Sequence, residues 1–215
     1  MRLLAFDSSG DRRSVALADG GATVAERGEV GARGHAEWLV PLIDAVLTDG
    51  GWAWSTIDRL VVAVGPGSFT GVRIAVAAAR ALALALDRPV HPVTTLDALV
   101  AAAIDTEPPV VPAIDARRGG LYVAWPDADG GRHPPVAATP TAAAARLPAH
   151  FTAVGSGAPA LVAAAGRGAA CARAVAAGGV LATARAAIAD GAAPLAGPAV
   201  RPLYVRAADA VPRAA

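Results

Sequence analysis

The feature that most narrows the fold of this chain is a short apolar run ending in an acid, which occurs twice. Leu3 to Phe6 leads into Asp7-Ser8-Ser9-Gly10, and Val110 to Ile114 leads into Asp115. Each reads as a buried strand that delivers a carboxylate to a turn. After the first, Ser14 to Ala18 reads as a strand. Asp19-Gly20-Gly21 is a hairpin turn of the kind that needs positive φ angles, and Ala22 to Arg27 returns as a third strand. Trp38, Leu39, Leu42, Ile43, Val46 and Leu47 then fall on one stripe at helical spacing, which predicts a helix over 35–48. Pro41 lies inside it, so a kink near Glu37-Trp38 or a start near Val40 is expected. Leu60 to Val64 is a further buried strand, followed by the tight loop Gly65-Pro66-Gly67-Ser68-Phe69-Thr70-Gly71. A long Ala-rich helix from Val72 to Leu86 is stopped by Asp87-Arg88-Pro89. Val90 to Val93 is a strand, and Thr95 is expected to cap a helix from Leu96 to Ile104.

Three strands, a helix, and then strand, helix, strand, helix is the order of a ribonuclease H-like half-domain. The second half starts the same way. The Val110 run is followed by a turn over 117–120, a strand from Leu121 to Trp125, a third strand near 135–138, a helix from Thr141, and a strand from Phe151 to Val154. Gly155-Ser156-Gly157 and Ala-rich helices complete it. The pattern reads as a drifted duplication. The expected fold class is therefore α/β, an actin/Hsp70-like (ASKHA) fold of two ribonuclease H-like half-domains with the second reduced. The seam is placed at Asp105 to Pro109, giving an N-terminal lobe over 1–106 and a smaller lobe over 107–215, in which 200–206 returns as a strand. Residues 126–140 read as loop. In 158–193 the alanines hide any helical face, and Cys171 is expected there in a helix as a buried structural thiol.

Composition excludes several classes. The chain has 215 residues, 54% of them hydrophobic and 17% charged, which suits a packed core rather than a disordered segment. A single cysteine excludes an internal disulfide framework. No uninterrupted apolar run reaches the ~18 residues a bilayer span needs, and the opening residues meet Asp7 too early for a secretory signal, so a cytoplasmic protein with no membrane contact is expected. Net charge is +1 and every basic residue is Arg. Tight RNA binding by the chain alone would call for a larger basic excess.

The sequence resembles the TsaB (YeaZ) family at Gly65-Pro66-Gly67-Ser68-Phe69-Thr70-Gly71-Val72-Arg73-Ile74. Further matches are Leu4-Ala5-Phe6-Asp7-Ser8-Ser9, the helix from Arg33-Gly34-His35 with its internal Pro41, and Thr94-Thr95-Leu96-Asp97-Ala98-Leu99. Ile114-Asp115-Ala116-Arg117-Arg118 with Tyr122, and Arg201-Pro202-Leu203-Tyr204-Val205-Arg206, complete the set. The resemblance implies a non-catalytic scaffold and activator in threonylcarbamoyl transfer to adenosine 37 of tRNA. Its implied partners are the catalytic paralogue TsaD and the ATPase TsaE, with tRNA reached only through the complex. It also implies that part of the first two helices joins a bundle with the paralogue; without that partner the uncovered apolar remainder is expected to drive homodimers.

The residues bear on chemistry as follows. Asp7, Ser8 and Ser9 stand where actin-like ATPases hold metal and phosphate, with Asp115 as the counterpart and Gly155 and Gly157 near the nucleotide. Gly65, Gly67 and Ser68 precede a helix and so add an anion-site hypothesis. Against a working nucleotide site, the chain lacks the Lys of a Walker loop, and Arg117 and Arg118 add bulk to the second turn. Asp115 is expected to pair with Arg117 or cap that turn. The catalytic paralogue carries two His one helical turn apart, but here His35 is followed four residues on by Leu39. No metal, cofactor or hydrolase triad is expected. The candidate partner face comprises His35, Trp38, Leu39, Leu42, Ile43 and Val46 on the first helix, and Arg73, Val76 and Arg80 on the second. The rival reading is an actin-fold ATPase or small-molecule kinase.

Overall fold

The computed structural model describes residues 1–30, 35–103, 105–106, 109–127, 132–171 and 177–205. Its first half holds β1 (Arg2–Asp7), β2 (Arg12–Asp19), β3 (Ala22–Val30), α1 (His35–Asp49), β4 (Arg59–Ala63), α2 (Phe69–Leu86), β5 (Val90–Val93) and α3 (Thr95–Ala101). The second holds β6 (Val110–Asp115), β7 (Leu121–Val123), β8 (Val136–Ala138), α4 (Pro140–Ala144), β9 (Thr152–Val154), α5 (Ala158–Ala165), β10 (Ala169–Cys171) and α6 (Ala177–Ala189).

The strands form two five-stranded sheets, ordered β3-β2-β1-β4-β5 and β8-β7-β6-β9-β10. Adding five to each strand number of the first sheet produces the second. The pairing repeats as well: β1 is antiparallel to β2 and parallel to β4, and β6 is antiparallel to β7 and parallel to β9. This is the duplicated α/β, actin/Hsp70-like architecture that the element order implied.

Strand alternation decides which side chains meet which helices. Leu4 and Phe6 of β1 join Leu60 and Val62 of β4 in a core covered by α1 and α2. Leu3 and Ala5 point the other way, into a core with Leu96 and Leu99 of α3 and Val180, Leu181 and Ala184 of α6. A third core unites β6, β7 and β9 with α4 and α5. By length and composition α2 could span a membrane. In this fold Val72, Ala75, Val76, Ala79 and Ala83 line its inward face and pack in the core with β4.

Several local expectations are corrected. Helix α1 starts at His35 and not near Val40, and includes Pro41 on its exposed side, where water can satisfy the freed carbonyl. Helix α2 starts three residues earlier than expected, because the Ser68 hydroxyl accepts from the Gly71 amide at 3.3 Å. The cap of α3 is Thr94, whose hydroxyl accepts from the Asp97 amide at 3.1 Å. Cys171 ends strand β10, paired with Val154, and is not in a helix. Its side chain lies outside the described residues. Ala169-Ala170-Cys171 has helical composition, and parallel pairing with β9 overrides it. Residues 201–205 form no strand; the Leu203 amide makes one bond to the Val64 carbonyl, 2.7 Å. Arg206, Glu107 and Pro108, which bear on the expected strand and seam, lie outside the described residues.

Candidate functional site

The two acid-bearing strands end at turns that face each other. Asp7 is fully buried at the end of β1. Its Oδ1 accepts from the Ser9 amide at 2.8 Å, while Oδ2 has no hydrogen-bond partner. Ser14, its register partner on β2, has a buried hydroxyl that is also unpaired. Burial raises the Asp7 carboxyl to about 6, against the opposing pull of the Ser9 and Ser8 hydrogen bonds.

The Gly65–Gly71 loop lies directly on this turn. The Ser68 amide donates to the Ser9 carbonyl at 2.6 Å, and the Ser8 hydroxyl donates to the Gly71 carbonyl at 2.8 Å. A Cβ on Gly67 would meet the Ser9 carbonyl oxygen, and one on Gly71 would meet that of Ser8. These glycines are therefore the means by which α2 approaches β1. The amides of Ser68, Gly71 and Val72 are all committed to protein acceptors, two of them at Ser68 itself.

The second half repeats the arrangement. Gly155 follows β9 at φ 109° as Gly65 follows β4 at φ 103°, a region open to Gly. The Gly157 amide donates to Ala113 at 3.0 Å, and the Asp115 amide donates to the Ser156 hydroxyl at 3.0 Å. Asp115 both caps its turn and pairs with Arg117. Its Oδ1 accepts from the Arg117 amide at 2.7 Å, and its Oδ2 lies 3.9 Å from the Arg117 guanidinium. That guanidinium also reaches Asp11 on the first turn, at 3.4 Å. Among the described residues no group of three His, Cys, Asp or Glu could hold a metal.

The expected partner face is only partly exposed. Leu39, Leu42, Ile43 and Val46 of α1, and Val76 of α2, are buried in the chain's own core. The stripe that made them conspicuous faces the sheet, where each such side chain contributes about 2 kcal/mol of hydrophobic stabilisation. The side chain of His35 lies outside the described residues. Trp38 remains 49% exposed, with Arg13 6.0 Å from its ring centre.

On helix α2 the expected Arg73 and Arg80 are exposed, and beside them stand residues that the sequence reading did not single out. Its outer line runs Phe69, Arg73, Ala77, Arg80, Ala81 and Leu84, all exposed, with Leu84 at 85%. At its start the Arg73 guanidinium stacks 3.6 Å from the Phe69 ring centre and donates to the Tyr204 hydroxyl at 2.7 Å. Phe69 and Tyr204 are themselves 5.5 Å apart. The signal was present as the i, i+4 recurrence of Phe69, Arg73, Ala77 and Ala81, but it was masked by the uniform apolarity of the helix.

The duplicated sheets and the paired acidic turns define an actin-like, two-lobed α/β protein. The fold is shared with the activator of 2-hydroxyisocaproyl-CoA dehydratase from Clostridium difficile, at TM-score 0.52 and 10% identity over 88% of this chain and 95% of that one. Two solved Pseudomonas aeruginosa structures are much nearer. One, an uncharacterized protein with similarity to peptidase YEAZ, is 31% identical, covers 95% of this chain and 99% of its own, and has TM-score 0.83. The other, YeaZ, is 30% identical over 94% and 99%, with TM-score 0.81. The tRNA threonylcarbamoyladenosine biosynthesis protein TsaB of Haemophilus influenzae is 39% identical over 124 residues, 57% of this chain and 52% of that protein. The matched part of the chain thus spans about half the length of that curated relative. The model of the TsaD family, tRNA N6-adenosine threonylcarbamoyltransferase, matches residues 27–130. The chain belongs to the TsaB/YeaZ family.

Proposed function

We propose that this chain serves the biosynthesis of threonylcarbamoyladenosine in tRNA as a cytoplasmic, non-catalytic subunit that binds a catalytic relative of the TsaD type. The observation that carries the reading is the outer face of α2. It runs from Phe69 at one end to Leu84 at the other, with Ala77 and Ala81 between them and Arg73 and Arg80 as its charged members. Small side chains let a second helix approach closely, and an uncovered apolar face favours burial. A homologous helix of the paralogue would fit it, and a second copy of this chain would occupy it when the paralogue is absent. TsaE and tRNA would then join through the complex.

Two features support a non-catalytic role. Leu39 sits where a second imidazole would be needed beside His35, and it is buried. The amides of Ser68, Gly71 and Val72 at the first turn and of Gly157 at the second are bonded to protein, and Arg117 reaches Asp11 between the turns. The test is co-purification with the TsaD relative. Leu84→Arg and Ala77→Glu should abolish the complex while leaving the chain folded, and a complex that survives both would sink the reading.

A second reading, an actin-fold ATPase, is favoured by the unpaired Oδ2 of buried Asp7, which could face a bound cation. Calorimetry with Mg-ATP separates the two, because micromolar binding would favour the ATPase.

A further inference from the structure

The outward sides of α1 and α2 carry opposite charges at the same spacing. Helix α1 has no Lys or Arg and presents Glu37 and Asp44, seven residues apart and both exposed. Its third acid, Asp49, is spent on Arg27. Helix α2 has no acid and presents Arg73 and Arg80, also seven residues apart and both exposed. Seven residues are nearly two turns, so each pair lies on one side of its helix, about 10 Å apart. Among the described residues Glu37, Asp44 and Arg80 make no salt bridge. Arg73 is stacked on Phe69 and gives its Nε to the Tyr204 hydroxyl, which leaves its two Nη groups for a carboxylate.

The two helices lie side by side on one face of the first sheet. Strands β3, β4 and β5 all run the same way. Helix α1 returns from β3 to β4 and α2 from β4 to β5, so the helices also share one direction, and in each the first charge stands near the start. A second copy set face to face on them is related by a two-fold axis in the plane of the contact. An axis across the helices sets each helix on its own copy, acid against acid and Arg against Arg. An axis along the helices sets α1 of one copy on α2 of the other, in the same direction, and opposes an acid to an Arg at every charged position. Like charges placed opposite each other are costly, whereas exposed ion pairs add little affinity. The charges therefore select the second arrangement, while exposed Trp38, Val40 and Leu84 supply apolar area.

We propose that a second copy of this chain docks about a two-fold axis running along the helices, so that Glu37 and Asp44 of one protomer meet Arg73 and Arg80 of its partner. Equal spacing lets both pairs form at once on each side of the axis. This docking rests on the reading of the α2 outer face as a binding surface, and the charges give that surface its orientation.

The test is sedimentation of the full-length chain at low salt, with no TsaD relative present. Co-purification with that relative decides the partner reading separately, so the two can fail independently. The unmodified chain should be dimeric, and added salt should weaken the dimer. Arg73→Glu with Arg80→Glu, and separately Glu37→Arg with Asp44→Arg, should each weaken it by about tenfold or more. Mixed in equal amounts, the two double variants should pair with each other, because every contact again opposes an acid to an Arg. That pairing also shows that both are folded. If Arg73→Glu disturbs Phe69 and Tyr204, the single variants Arg80→Glu and Asp44→Arg serve in the same way, apart and then mixed. A monomeric unmodified chain, variants that remain dimeric, or single variants that fail to pair when mixed would each overturn this docking.

Discussion

Arg117, on the turn after β6, meets Asp11, on the turn after β1, with Nη2 3.4 Å from Oδ1. The contact joins the two halves of the duplication at the mouth where their acidic strands converge. It occupies space with a guanidinium that is held locally by Asp115 as well. Both partners of the pair are more than 70% exposed, so solvent screens it. Arg117→Ala should therefore change folding stability by well under about 1 kcal/mol, read by urea denaturation. It should not create Mg-ATP affinity, because the amides of Ser68 and Gly157 remain bonded to protein.

Asp7 makes stability depend on pH in an unusual direction for an acid. Its carboxyl rises from 3.8 to about 6 on folding, so the native state holds the proton more firmly. The resulting stabilisation is complete below about pH 4 and is lost as pH climbs through about 6, a difference of about 3 kcal/mol. Asp7→Asn keeps an acceptor for the Ser9 amide and carries no charge. It should raise stability at pH 7 and flatten the profile between pH 4 and 6 in denaturation curves. An unchanged profile would show that Asp7 is not the titrating group.

Gly71 should tolerate no side chain. Gly71→Ala places a methyl group against the Ser8 carbonyl and forces α2 away from β1. Thermal unfolding should show a loss of several kcal/mol, on the scale of an overpacked core at about 1–3 kcal/mol or more. A Cβ on Gly20 meets nothing within 4 Å, so Gly20→Ala should cost only the strain of its positive φ, about 1 kcal/mol.

The two sides of α1 should respond differently. Leu39→Ala empties a site in the sheet-facing core and should cost about 2–5 kcal/mol. Trp38→Ala should leave stability within about 1 kcal/mol and act instead on assembly with the paralogue. Denaturant titration of both variants checks the contrast.

Much of the architecture was legible because β-strand burial is written into short runs. Leu3 to Phe6 and Val110 to Ile114 announced the central strands, and their acids located the turns. The Asp115–Arg117 pairing was readable from spacing alone, since an Asp two residues before an amide donor commonly caps a turn. The exposed side of α2 was readable only in part: Arg73 and Arg80 stood out as charges, while Phe69, Ala77, Ala81 and Leu84 did not. On α1 the apolar stripe is the core stripe, so its strongest residues point inward. On α2 Ala occupies both faces, and only packing against β4 distinguishes inside from outside. Strand β10 escaped for a related reason: three small residues carry no periodicity, and β9 alone sets their conformation.

The central claim is that this chain contributes a binding surface and no chemistry. The direct measurement is threonylcarbamoyl transfer to tRNA in a reconstituted mixture with the TsaD and TsaE relatives, comparing the unmodified chain, Leu84→Arg and the chain alone. The account predicts transfer with the unmodified chain, a loss of about tenfold or more with Leu84→Arg at subsaturating concentration, and none from the chain by itself. Transfer by the isolated chain, or full activity with the Leu84→Arg variant, would contradict it.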